Sequence, residues 1–287
     1  MTSIDIAIAQ SSNAGHATKP RRATRGSFVE TEDGTQLFYR DWGTGSPIVF
    51  CHPWGLNADI WEYQLTALSN QGLRCIAFDR RGHGRSDDPG HGYDFATLAA
   101  DLASLIEQLD LHDVTLVGYS MGSGEAIHYL SRYGTERVAR LLVTSPISPV
   151  SSDSAMIDGF IAALEQDRPA CIAAGLPLFT GYNDLVSPAM ARWVENMFLS
   201  ASPKAGVAFQ RAVVLDDHME RLKDIAVPTL ILQGDADEVA PLDQTGRMLA
   251  AAIPDCELRI YEGAPHGIAL THRQRFTQDL LNFVRGE

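Results

Sequence analysis

At 287 residues, with 23 Lys plus Arg against 36 Asp plus Glu, the chain carries a formal net charge of −13. Such a field repels polyanions and anionic lipid surfaces, so nucleic acid is excluded as an expected partner and small molecules remain. No apolar run approaches the roughly 20 residues a membrane-spanning helix needs, and a chain of this length suits one large domain with an insertion.

Residues 1–26 open the chain. Ile4 to Ala9 is short and interrupted by Asp5, and no basic segment precedes it, so no signal peptide is read and a cytoplasmic location is expected. The following Ser, Ala, Gly, Thr and Arg residues lack periodicity, and 1–26 is expected to be a flexible tail without chemistry.

From residue 27, β-rich runs alternate with helical segments, the pattern of an α/β domain on a mostly parallel sheet. Strands 27–32 and 36–42 flank Asp33-Gly34, a hairpin signal. There follow strand 47–51, helix 59–70, strand 73–78, helix 94–109, strand 113–118, helix 121–133 and strand 138–144. In helix 94–109, Leu98, Leu102, Leu105, Ile106 and Leu109 share one face, with Asp101, Glu107 and Gln108 expected opposite.

After Pro146 the rhythm stops until strand 228–233, a gap far longer than ordinary connections. The stretch 146–227 holds helix-like pieces with Phe160, Leu164, Leu178, Phe179, Trp193, Met197, Phe198 and Phe209, and is read as a helical cap inserted in a core of 27–145 and 228–287. Helix 241–252, strand 256–261 and helix 271–285 complete an eight-stranded core.

Gly118-Tyr119-Ser120-Met121-Gly122 matches G-x-S-x-G between a strand and a helix. There a serine sits on a strained turn that leaves no room for side chains two positions away, and the helix N-terminus points unpaired N–H groups at the site. A serine hydroxyl needs a base and an acid that orients the base, expected in chain order serine, acid, histidine. Asp237 in Gly234-Asp235-Ala236-Asp237 and His266 in Ala264-Pro265-His266-Gly267 both follow strands, where an open parallel sheet gathers its ligands. Asp235 leaves the same strand end and rivals Asp237.

Other polar residues read as structural. Cys51, Cys75, Cys171 and Cys256 lack C-x-x-C spacing and are expected as buried free thiols. His218, near the end of the cap, is expected at the surface. No Cys/His cluster at ligand spacing and no phosphate loop occurs, so neither metal nor cofactor is expected.

The DRRGHGRS run at 79–86, the elbow at 118–122, GDAD-x-x-x-P at 234–241 and APHG at 264–267 resemble the α/β-hydrolase family over residues 27–287. They are most similar to its cofactor-free branch of bacterial aryl esterases, perhydrolases and non-haem haloperoxidases. The resemblance implies Asp237 as the acid, His266 as the base, and an oxyanion hole made by the amides of Met121 and of the loop His52-Pro53-Trp54-Gly55. The branch usually reads His-Gly-Trp-Pro there. With Gly and Pro exchanged, Pro53 has no N–H, so Trp54 is the expected donor. In the family the 79–86 run is bracing, without a catalytic role for Arg80, Arg81, His83 or Arg85. The branch also suggests a homo-oligomer.

The resulting expectation is a serine hydrolase of small, moderately hydrophobic esters or lactones, with Trp54, Phe160, Phe179 and Trp193 as candidate substrate contacts. The same residues could run perhydrolase chemistry. Carbon–carbon hydrolysis and hydroxynitrile cleavage keep a serine too, and a ligand-sensing relative is a further alternative. Because the base must be neutral, activity is expected to fall below roughly pH 6 to 7, from the ordinary histidine value near 6.5.

Overall fold

A computed structural model describes residues 27–151, 154–182 and 185–287; the 1–26 tail lies outside the described residues. Its sheet contains β1 (Ser27–Glu30), β2 (Gln36–Trp42), β3 (Pro47–Cys51), β4 (Arg74–Phe78), β5 (Val114–Tyr119), β6 (Val138–Thr144), β7 (Thr229–Gly234) and β8 (Cys256–Tyr261). The spatial order is β1-β2-β4-β3-β5-β6-β7-β8. β2 pairs antiparallel with β1 and β4, and every other pairing is parallel. The hairpin turns at Gly34, whose φ of 85° favours glycine.

The core helices are α1 (Glu62–Ser69), α2 (Phe95–Gln108) and α3 (Met121–Tyr133); between β6 and β7 come α4 (Ser154–Thr180), α5 (Pro188–Ser200), α6 (Pro203–Leu215) and α7 (Met219–Leu222). The chain ends with α8 (Gly246–Ala252), α9 (Ile268–Thr271) and α10 (Arg273–Arg285). Successive strand residues point to opposite faces, so both faces of a covered parallel sheet must be apolar. Ile48, Phe50, Val117, Leu142, Leu230 and Leu232 pack against α1 and α10 through Leu65, Leu68, Phe276 and Leu280. Val49, Cys51, Leu116, Leu141, Val143 and Ile231 face α2 and α3 through Leu102, Leu105, Ala126 and Ile127. No helix among the described residues is long and apolar enough to cross a membrane.

The inserted helices are bounded by local signals. Ser187 and Ser202 accept hydrogen bonds from Met190 N and Ala205 N at 3.2 and 3.3 Å, with proline next in each case. That pairing caps the first turn and loses no donor the helix needs. α4 breaks at Asp167 (φ −153°, ψ 85°), whose carboxylate accepts from Ala170 N at 3.0 Å and so caps the second half.

Four readings from sequence are corrected. Asp101, expected on the outer face of its helix, is 1% exposed because Arg81 donates to both its oxygens at 2.6 Å. His218 is fully buried rather than on the surface, bonded through Nδ1 to Asp216 at 2.7 Å. Cys51 and Cys75 are buried, but Cys171 and Cys256 are half-buried, the latter because β8 is an edge strand. Helix 241–252 divides into a 3₁₀ turn, Leu242–Gln244, and α8, since Gly246 N must reach Gln233 Oε1 at 3.0 Å.

Candidate active site

Ser120 lies between β5 and α3 with φ 51° and ψ −118°, a left-handed conformation that costs a non-glycine residue of order 1–3 kcal/mol. The surroundings enforce it. Ser120 N donates to Thr144 O at 3.0 Å, while the Ser123 amide and hydroxyl donate to Ser120 O at 2.8 and 2.6 Å. A Cβ on Gly118 would lie 2.6 Å from Gly122 O, and one on Gly122 would lie 2.4 Å from Cys51 O. Both glycines are therefore required by backbone crossing, and the serine is thrust out at the head of α3.

His266 follows β8 and Asp237 follows β7, and topology brings both to Ser120. His266 Nε2 is 3.0 Å from Ser120 Oγ, and its Nδ1 is 2.9 and 3.0 Å from the two Asp237 oxygens. With Nδ1 carrying the proton that faces the carboxylate, Nε2 offers a lone pair to the hydroxyl. Asp237 Oδ1 also accepts from Ala240 N and Val239 N at 2.8 and 3.1 Å. Burial pushes the Asp237 pKa up, but the charge and hydrogen bond of His266 and the Ala240 amide outweigh it, holding the carboxyl below its usual value. Asp235, the rival, instead accepts from Gly263 N at 2.6 Å.

The loop after β3 faces the head of α3. Arg80 N donates to His52 Nε2 at 3.0 Å, which leaves His52 Nδ1 to donate to Pro53 O at 2.8 Å and fix the loop. Burial first, then the Arg80 charge, push the His52 pKa well below its usual value, so this imidazole stays neutral. Gly55 has φ 72°, and a Cβ there would come within 2.5 Å of the Phe198 ring. Among the described residues no backbone acceptor is assigned to the Trp54 or Met121 amide.

The Trp54 indole donates to Gly206 O at 2.9 Å and packs against Phe160 and Phe198, with ring centroids 5.7 and 5.8 Å away. Phe179 lies 5.8 Å from His266 and 5.9 Å from Phe198. Trp193 packs against Tyr63 of α1 at 6.4 Å and borders the same apolar cluster as Trp54 and Phe160. Phe198 thus links Trp54 to Phe179, the ring that lies against His266.

The 79–86 run braces. Arg80, fully buried, donates to Glu125 Oε2 at 2.5 and 3.1 Å and to His52 O at 2.8 Å. Arg85 holds Asp79 at 2.7 and 2.9 Å, and Asp79 in turn accepts from Ala58 N at 2.7 Å.

Sequence reasoning missed Tyr119 and Ser145. Their hydroxyls donate to His266 O at 2.7 and 3.1 Å, which anchors the base through its own backbone. The φ of 42° at Ser145, like that of Ser120, marks a strained strand end.

Comparison with known proteins identifies the fold family. Residues 46–273 match the family model described as alpha/beta hydrolase fold. A non-heme chloroperoxidase of Kitasatospora aureofaciens is 40% identical, the match covering 88% of this chain and 98% of that protein. A bifunctional esterase/perhydrolase of Acinetobacter calcoaceticus is 33% identical, covering 90% and 99%. Among solved structures, an esterase of Exiguobacterium antarcticum superposes with a TM-score of 0.87 at 32% identity, covering 91% of this chain and 100% of its own. Fold, site geometry and these relatives together place the chain in the α/β-hydrolase family.

Proposed function

We propose that this protein is a carboxylic ester hydrolase that works through an acyl-enzyme on Ser120. The observation that carries the reading is the continuous hydrogen-bonded relay Ser120–His266–Asp237 at the head of α3. In the proposed cycle His266 Nε2 takes the Ser120 proton as Oγ bonds to the ester carbonyl carbon, and the Met121 and Trp54 amides receive the oxyanion. The carbon–oxygen bond to the alcohol then breaks, and the alkoxide leaves with the proton held by His266. Water attacks the acyl-enzyme with His266 again as base, releasing the acid and restoring Ser120. Asp237 holds the imidazole and stabilises its charged form without itself taking the proton. Trp54, Phe160, Phe179 and Phe198 supply an apolar wall that suits moderately hydrophobic esters or lactones.

A second reading uses the same groups with hydrogen peroxide in place of water, giving a peracid from a carboxylic acid or ester. It is favoured by relatives named chloroperoxidase and esterase/perhydrolase. The test is turnover of p-nitrophenyl esters of graded acyl length by wild type and Ser120→Ala, with and without peroxide. Ester turnover in the wild type, reduced at least about a thousandfold in the variant, supports the proposal. Folded wild type that turns over none of the panel, or a variant that retains activity, defeats it.

A further inference from the structure

Away from the relay, the fold brings His128 on α3 to Asp216 at the end of α6 and His218 at the start of α7, two residues apart in the chain. One ligand atom from each lies within 4.8 Å of the others. His128 Nε2 is 2.9 and 3.0 Å from the Asp216 oxygens, and His218 Nδ1 is 2.7 Å from one of them. The side chains are 9%, 10% and 0% exposed. With His218 Nδ1 donating to Asp216, the buried Nε2 has no hydrogen-bond partner, so one ring nitrogen is left unused inside the protein, where an unpaired polar atom is costly.

We propose that His128, Asp216 and His218 form a binding site for a divalent transition-metal cation of the zinc type, joining the inserted helices to the helix that carries Ser120. Two imidazoles and one carboxylate are a borderline N/O donor set that suits Zn²⁺ or Co²⁺ over Mg²⁺ or Ca²⁺, and three protein ligands leave the fourth position to water. Tetrahedral ligation places donor atoms about 3.4 Å apart, so the present 2.7–3.0 Å contacts need open by only a few tenths of an ångström. Each imidazole would bind the cation through the nitrogen that now faces Asp216, its ring proton moving to the other nitrogen.

The opposing charge is Arg221 on α7, whose Nη1 is 3.4 Å from His128 Nδ1. Arg221 is solvent-exposed. His128 itself is stacked on Phe95 at 5.0 Å, and His218 N donates to Pro149 O at 3.0 Å, so two of the three ligands are held in place by contacts the cation does not use.

The experiment uses full-length protein stripped with EDTA and titrated with Zn²⁺ alone, and separately with Co²⁺ alone. The expected results are one Zn²⁺ retained per chain, visible d–d absorption from tetrahedral Co²⁺, and a melting temperature raised by about 5 °C at a hundredfold excess over Kd. His218→Ala should lose all three responses, Arg221→Ala should bind more tightly, and Ser120→Ala should respond as wild type. A wild type that retains no Zn²⁺ and gives no Co²⁺ absorption overturns the proposal whether or not His218→Ala folds. Equal responses from wild type and a folded His218→Ala also overturn it. The readouts do not involve ester turnover, so failure here leaves the hydrolase reading intact.

Discussion

Tyr119 and Ser145 converge on one carbonyl, that of His266, and so aim the imidazole from behind. Tyr119→Phe removes one of two donors and leaves the carbonyl satisfied by Ser145. Stability should fall by about 1 kcal/mol in urea unfolding, with kcat reduced a few-fold and KM unchanged; a shift in KM alone would contradict an anchoring role. Asp237→Asn presents an amide to His266 Nδ1 and favours the wrong tautomer, so kcat should drop by about 10⁴ in steady-state assays while the fold persists. Ser120, Asp237 and His266 were legible in the sequence because each sits at a strand end, and strand ends can be read from apolar runs. Tyr119 and Ser145 were not, since their partner is reached through space across 147 and 121 residues of chain. The misreading of Asp101 and His218 has one cause: a polar residue is assigned to the surface until a buried partner, here Arg81 or Asp216, is known.

Among the elements, the loop after β3 carries the Gly/Pro exchange that sets it apart from the branch it resembles. Placing proline before Trp54 and glycine after it puts the left-handed residue at Gly55, against the Phe198 ring. Gly55→Ala meets both the positive φ and the ring, and should cost about 2 kcal/mol. It should also lower kcat by displacing the Trp54 amide. Thermal unfolding and ester kinetics on the same sample check this; a variant with both properties unchanged would show that the loop does not depend on Phe198. Element existence was legible throughout the core, where strands covered on both faces read as continuous apolar runs. Details governed by side-chain-to-backbone bonds were less so. The break at Thr245 depends on Gln233 reaching Gly246, and the kink at Asp167 on a cap that one residue provides inside a helical pattern.

At the scale of the whole molecule, two buried neutral histidines tie stability to pH. The His52 pKa lies well below its usual value, and burial, followed by the Arg80 charge, pushes that of His83 down to about 3. Unfolded, both rings take up protons near pH 6.5. Below that pH the unfolded chain binds more protons than the folded one, so stability falls as pH falls, for His83 down to about pH 3. Asp237, depressed in the folded state, contributes stability above its unfolded value near 3.9 that is lost as pH falls further. Urea unfolding at pH 7.5, 6 and 5 should show a falling midpoint, and a flat profile would contradict neutral burial. The global plan was legible down to the long insertion between β6 and β7, but not how that insertion closes. Its outgoing and returning strands of chain meet where His218 N bonds Pro149 O. The two feet of the insertion therefore stand together, and the crossover to β7 is completed below them by α7, whose Leu222 belongs to the sheet core with Ile225 and Val227. The segment 150–217 thus leaves and rejoins the core through one closed neck, so a change in its length need not reroute β6 or β7, while its contacts with the Trp54 loop and with Gly267 beside His266 make any repacking of it felt where the reaction would occur.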